Sequence, residues 1–306
     1  MKVLIVGIGS MGMNHLRVLV QLKREGFIDN VYAVDVDQQR LKLAKDLGAD
    51  LTFTDVTEAL KYKPDLGIIA IPTKLHYGVA RELIKYMDLL IEKPITDNLS
   101  DALELYRVSR DLGRRVLVGH IERFNPAYRA LISEIGNKKP TYIETIRVGL
   151  LRGNPTTYGN VLLDLGIHDV DLVMNMIDED RVEIIGKILE GDPVRVAWVL
   201  MRLGDITYVM HVSWNSNVRV RRITVLSTDK YYDVDLFNKV LFRDGVKHVI
   251  GGVDQLRQEL IHAINVVRGI EKPMIDIIDG IKALAIIEGV LRNQQSIDVN
   301  NVLRLD

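Results

Sequence analysis

Up to about residue 120 the apolar positions come in short unbroken runs separated by stretches of helical period. The runs are Lys2 to Val6, Val31 to Val34, Asp65 to Ile71, Leu89 to Glu92 and Arg115 to Gly119. Continuous apolarity of this kind marks strands buried on both faces. Between them, Met13 to Gln21, Gln38 to Leu47, Val79 to Tyr86 and Ser100 to Leu112 repeat as amphipathic helices, and Gly48 and Gly113 stand where helices stop. This βαβ alternation predicts a parallel, doubly wound sheet; its numbering, with the fifth strand ending at Glu92 and the sixth at Gly119, allows for one strand that none of the five runs marks.

Beyond residue 121 the pattern changes. Helices are predicted over Pro126 to Ile135 and from Val161 or Leu162 to about Met176, with a strand at Tyr142 to Val148 between them. From Val182 to about Phe242 apolar and polar residues alternate, with turn signals at Gly191-Asp192-Pro193 and Gly204-Asp205. That alternation predicts a mostly antiparallel sheet. Two amphipathic helices, Asp254 to Val267 and Gly280 to Asn293, close the chain. The expected division is a Rossmann domain over 1–121 and an α+β domain over 122–306 for substrate binding and oligomerisation, with the last helices placed to pack back across the boundary.

The first strand runs into Gly7-Ile8-Gly9-Ser10-Met11-Gly12, a complete G-x-G-x-x-G that opens a helix. Its glycines allow a tight turn, close approach of backbone to a pyrophosphate, and close packing of helix on strand. The helix start adds unpaired N–H groups and the positive end of its dipole. Asp35 ends the second strand, about 20 residues beyond the loop, where a ribose-binding carboxylate belongs. The loop residues Gly7, Gly9, Ser10, Met11 and Gly12, together with Asp35, therefore form the expected cofactor site. The acid at position 35 favours NAD over NADP, because its charge repels a 2′-phosphate and no arginine follows at once.

Glu92-Lys93-Pro94 lies at the carboxyl end of the fifth strand, the edge where open α/β sheets bind ligands. Standing alone, this tripeptide would be a surface ion pair ahead of a helix. Here it follows a buried strand and the glycine loop, and Lys93 is expected to face the reacting end of the dinucleotide. A second constellation is Asp164-Leu165-Gly166-Ile167-His168, which places Asp164 and His168 four apart on an otherwise apolar helix. Polar groups on such a face need partners or a use.

In this order, the glycine loop, Pro72-Thr73 with His76, the E-K-P, the D-x-G-x-H and the Arg123-Phe124-Asn125-Pro126 opening of the second domain resemble the glucose–fructose oxidoreductase/inositol dehydrogenase (Gfo/Idh/MocA) family over nearly the whole chain. The resemblance implies an NAD-dependent dehydrogenase acting on the CH–OH group of a sugar. Lys93, Asp164 and His168 would be catalytic, and Pro72, Thr73, His76, Glu92 and Lys93 would join the cofactor site. Arg123, Asn125, Arg152 and Asn160 would meet substrate, and Arg147 is a further cation for a diphosphate. Within the family the segments around 119–126 and 158–169 look closest to the UDP-N-acetylglucosamine 3-dehydrogenase branch, which implies a nucleotide sugar oxidised at its 3-hydroxyl. An inositol or free sugar is the alternative substrate. Many members carry a run of glycines where this chain reads Gly159-Asn160-Val161.

Composition narrows the remaining classes. The 306 residues carry 40 basic and 41 acidic side chains, a balance that argues against a dedicated nucleic-acid binder. The chain has no cysteine, which removes thiolate chemistry and cysteine zinc sites, and its histidines lack metal-ligand spacing, so no metal is expected. No apolar run is long enough to span a bilayer, and the expectation is a cytoplasmic protein. None of the 11 tyrosines has a lysine four residues later, which excludes the short-chain dehydrogenase pair. A non-catalytic dinucleotide sensor on the same fold would need neither Lys93 nor His168. Trp198 and Trp214 are expected in core or interface, and a homodimer or homotetramer is expected through the second sheet.

Overall fold

The computed structural model describes residues 1–151 and 159–304. They form two compact units. The first comprises Met1–Gly119 with Leu256–Gly280, and the second His120–Gln255 with Ile281–Asp306. Leu256–Gly280 thus departs from the simple division at residue 121: most of one helix and the start of the next belong with the first unit.

The first unit contains β1 (Lys2–Val6), α1 (Ser10–Arg24), β2 (Asn30–Val34), α2 (Gln38–Leu47), β3 (Leu51–Phe53), α3 (Val56–Leu60), β4 (Leu66–Ile69), α4 (His76–Leu83), β5 (Asp88–Glu92), α5 (Leu99–Asp111) and β6 (Val116–Gly119). Its sheet has the order β3-β2-β1-β4-β5-β6, and every pairing is parallel. The order reverses beside β1, so the switch point of the sheet lies at the glycine loop. Val3, Leu4 and Ile5 of the central strand are fully buried, each worth roughly 1.5–3 kcal/mol of burial. Caps fix the helix starts. Asp37 accepts from the N–H groups of Gln39 and Arg40 at α2, and Asn98 accepts from Asp101 at α5.

The second unit contains α6 (Pro126–Ile135), β7 (Pro140–Leu150), a π-helical turn (Leu162–Gly166) continued by α7 (Ile167–Met176), and strands β8 (Arg181–Glu190), β9 (Val196–Leu203), β10 (Ile206–Ser213), β11 (Asn215–Ser227), β12 (Tyr231–Asp235), β13 (Val240–Arg243) and β14 (Val246–Val249). After α8 (Gln255–Val267) and α9 (Ile277–Leu291), the chain adds β15 (Ser296–Asp298) and α10 (Val299–Val302). The nine strands run β14-β13-β12-β11-β7-β10-β9-β8-β15. All pairings are antiparallel except β7 with β10, so the sheet is mostly antiparallel as the alternation implied. A two-residue turn at Gly204-Asp205 joins β9 to β10, with Gly204 at φ +59°.

Candidate active site

In the first unit the glycine loop is shaped by contact on one side and openness on another. Gly7 has φ +90°, and a Cβ there would lie 2.6 Å from the Ala70 carbonyl oxygen. A Cβ on Gly12 would collide with the Gly7 carbonyl at 1.8 Å, so α1 can start this close to β1 only without a side chain. At Gly9 a Cβ would meet nothing within 4 Å. No side chain caps α1 at Gly9, and its first turn carries no acid. Open backbone at an uncapped helix start fits a dinucleotide pyrophosphate. Ser10 is exposed and Met11 half-buried beside it.

Asp35 is buried, and each of its oxygens accepts a backbone N–H: Oδ2 from Ile8 at 2.6 Å and Oδ1 from Asp37 at 2.9 Å. The carboxylate thereby ties the end of β2 to the glycine loop, and its remaining lone pairs can still accept from ribose hydroxyls. The structure also places Arg40, half-exposed, 3.6 Å from both Asp35 and Asp37.

At the end of β4, Pro72 is exposed, Thr73 half-buried and His76 buried. His76 Nε2 lies 2.8 Å from the Ile71 carbonyl and Nδ1 2.9 Å from that of Pro94. Burial lowers its pKa against the pull of those carbonyls. A neutral ring has one N–H, so it donates to one carbonyl at a time. Both nitrogens therefore face backbone, and His76 is a strut between the β4 end and the E-K-P segment.

Lys93 is half-buried, and the Lys93–Pro94 bond is cis. Glu92 points the other way, into the unit, where its Oε1 lies 2.6 Å from His15 Nε2. Burial opposes its ionisation, yet the His15 hydrogen bond and charge, with Lys93 and His76 adding, hold its pKa below the ordinary glutamate value. Glu259 from α8 completes a buried group: one ligating atom each from His15, Glu92 and Glu259 lie within 4.8 Å of one another. Sequence spacing of histidines had no means of revealing it, since the three residues come from α1, β5 and α8.

In the second unit Asp164 lies within the π-helical turn and His168 one residue into α7, both half-buried. Single π-turns inserted in α-helices are frequent at functional sites. Asn160 starts this segment, its Oδ1 accepting from Leu162 and Leu163 at 3.0 and 3.1 Å. Gly166 lets the turn pack tightly: a Cβ there would lie 3.3 Å from Leu162 and 3.5 Å from Ile287 and Met210. Asp164 Oδ2 accepts from the Trp214 indole at 3.0 Å, which gives Trp214 a partner in the site as well as a place in the core.

The expected substrate contacts need correction. Arg123 is buried and donates from Nε and Nη2 to the two oxygens of Asp171 at 2.9 and 2.7 Å. Arg147, 1% exposed, donates to Asp169 at 2.7 Å and to Glu122 at 2.9 Å. Their charges are neutralised inside the unit, because acids from α7 and from the turn before α6 face them. Burial pushes Asp169 up to about 6 against the pull of Arg147. Asn125 is buried too: its amide donates to Glu122 and to the Leu236 carbonyl, and its oxygen caps α6 at Ala127. Asn160 acts as a helix cap, and Arg152 lies outside the described residues.

Residues 1–120 match the model of an oxidoreductase family with an NAD-binding Rossmann fold, Gfo/Idh/MocA. The chain is 25% identical over 251 residues to UDP-N-acetylglucosamine 3-dehydrogenase of Acidithiobacillus ferrooxidans, spanning 79% of this chain and 76% of that protein. It is 30% identical over 206 residues to inositol 2-dehydrogenase of Pseudarthrobacter chlorophenolicus, covering 63% of this chain and 60% of the relative. Among solved structures, the same Acidithiobacillus enzyme superimposes with a TM-score of 0.84 at 24% identity, over 95% of this chain and 96% of the other.

Proposed function

We propose that this chain, an oxidoreductase of the Gfo/Idh/MocA family, oxidises a secondary alcohol of a nucleotide sugar, at its 3-hydroxyl, with NAD in preference to NADP. Two features, each taken within its own unit, support the chemistry. One is a lysine at the ligand-binding edge of a dinucleotide sheet, and the other a half-buried pair, Asp164 on a π-helical turn and His168 at the start of α7. Bound NAD supplies the hydride acceptor, held by the open backbone around Gly9 and by Asp35.

An alcohol is far too weak an acid to ionise alone, so loss of its proton must accompany loss of hydride. The imidazole of His168 is suited to accept that proton, since an unperturbed histidine titrates near 6.5. The ammonium of Lys93 hydrogen-bonds the hydroxyl oxygen and offsets the negative charge that develops on it. Asp164, fixed by the Trp214 indole, orients substrate and sets the local charge.

Similarity to the Acidithiobacillus enzyme across 79% of the chain supports the nucleotide sugar. A different observation favours an unphosphorylated substrate: Arg123 and Arg147 are paired internally and are not available to a diphosphate. Inositol 2-dehydrogenases among the relatives agree with that second reading. Purified protein should be assayed for NADH formation with UDP-N-acetylglucosamine, glucose and myo-inositol in parallel. Turnover of the nucleotide sugar is expected, and activity confined to the unphosphorylated compounds would replace it by the second reading.

A further inference from the structure

Glu259 is 2% exposed, and no N–H or O–H donor among the described residues reaches either of its carboxylate oxygens. It lies on α8 within the first unit, against Glu92 and His15. A lone carboxylate in such a place would be costly by far more than the folded state can bear, and two facing carboxylates cannot both ionise readily. The titratable groups that face it are Glu92 from β5 and His15 from α1, while Lys93 and His76 act on Glu92 in turn. Glu92 is the one that ionises, because His15 Nε2 is hydrogen-bonded to it at 2.6 Å.

We propose that Glu259 is kept as the neutral acid and serves as a positioning residue. Its proton is directed to Glu92, so that Glu92 keeps its hydrogen bond with His15 and the backbone leading into Lys93 is held still. The proposal rests on the reading of Lys93 as a catalytic group. Glu92 and Lys93 are consecutive, one side chain turned inward and the next half-buried at the sheet edge, so freedom at Glu92 passes directly to Lys93. His15 carries the same constraint to the helix that follows the glycine loop. Burial and the charge of Glu92 both hold the Glu259 carboxyl well above the ordinary glutamate value, in agreement with the geometry.

The sign of the pH effect follows. A carboxyl that binds its proton more tightly in the folded state contributes stability in full below its unfolded pKa. That contribution is lost as pH rises through the folded value. Glu259→Gln keeps shape and an N–H donor but removes the titration. Its melting temperature should therefore exceed that of the wild type, by a gap that widens from pH 5 to pH 8 and reaches several °C. Infrared spectra at neutral pH should show a protonated carboxyl band in the wild type that the Gln variant lacks. Glu259→Met, of similar size but with no donor, should lower kcat about tenfold with the Kd for NADH unchanged, and Glu259→Gln should recover most of that loss.

An absent carboxyl band, or a Gln variant less stable than the wild type at every pH, would overturn the neutral acid. A wild-type protein that carries a stoichiometric metal and loses stability to a chelator would overturn it too. A Met variant with wild-type kcat would overturn the positioning role. The thermal and infrared readings need no substrate, so they remain decisive even if the assigned reaction is wrong.

Discussion

Asp35 combines two roles that pull on the same oxygens. It accepts the Ile8 N–H, which ties the glycine loop to the end of β2, and the Asp37 N–H, and in the proposed reaction its remaining lone pairs would accept from the adenosine ribose. The sequence reading finds no arginine immediately after the acid, whereas the fold brings the Arg40 guanidinium to 3.6 Å from it. An arginine near the ribose site is the group that accommodates a 2′-phosphate in NADP enzymes, and the proposed preference for NAD requires Asp35 to outweigh Arg40. We expect kcat/KM to be higher with NAD than with NADP. Asp35→Ala should lower the NAD value by roughly 10- to 100-fold, the worth of a lost charge-assisted hydrogen bond, and should raise relative use of NADP as Arg40 is released. A wild type that prefers NADP would reject the assignment. The partners of Arg123 and Arg147 were hidden for a related reason. Pairings between residues dozens of positions apart leave no trace in local periodicity, and a basic side chain looks the same whether it awaits a ligand or an internal acid.

At the scale of elements, the two periodicities carried most of the fold. Runs without polar interruption became the parallel strands, and alternation became β8 to β10, where Ala197, Val199, Met201 and Leu203 point inward. β3 is only three residues long and half-buried, so its apolar run was too short to stand out. The π-helical turn was read as ordinary helix, because Leu162, Leu163 and Leu165 make it apolar on nearly every side and leave no stripe whose shift could be seen. The outward face of the second sheet keeps an apolar row. Ile188, Trp198, His211 and Ile146 lie opposite one another across β8, β9, β10 and β7. The Trp198 ring stacks on His211 with centroids 3.6 Å apart, and Ile188, Trp198 and Leu200 are exposed. An exposed row of this kind is suited to pair with its own copy about a two-fold axis. Light scattering should give a dimer or tetramer at micromolar concentration. The double variant Trp198→Glu, Leu200→Glu should shift it towards monomer while the circular dichroism of the fold is kept. A monomeric wild type would refute this use of the sheet.

For the molecule as a whole, 40 basic and 41 acidic side chains nearly cancel, and no described helix is long and apolar enough to cross a membrane. The proposed reaction assigns one role to Lys93 and another to His168, residues that belong to different compact units. Each was legible in sequence from its own strand end or helix face. Their joint action is the central claim, and it is tested by replacing each in turn. Steady-state kinetics of Lys93→Met and His168→Asn, with NAD and the substrate that the wild type turns over, should show kcat lowered by about two to four orders of magnitude in both variants. NAD binding and melting temperature should be nearly unchanged. Near-normal kcat in either variant would contradict the account.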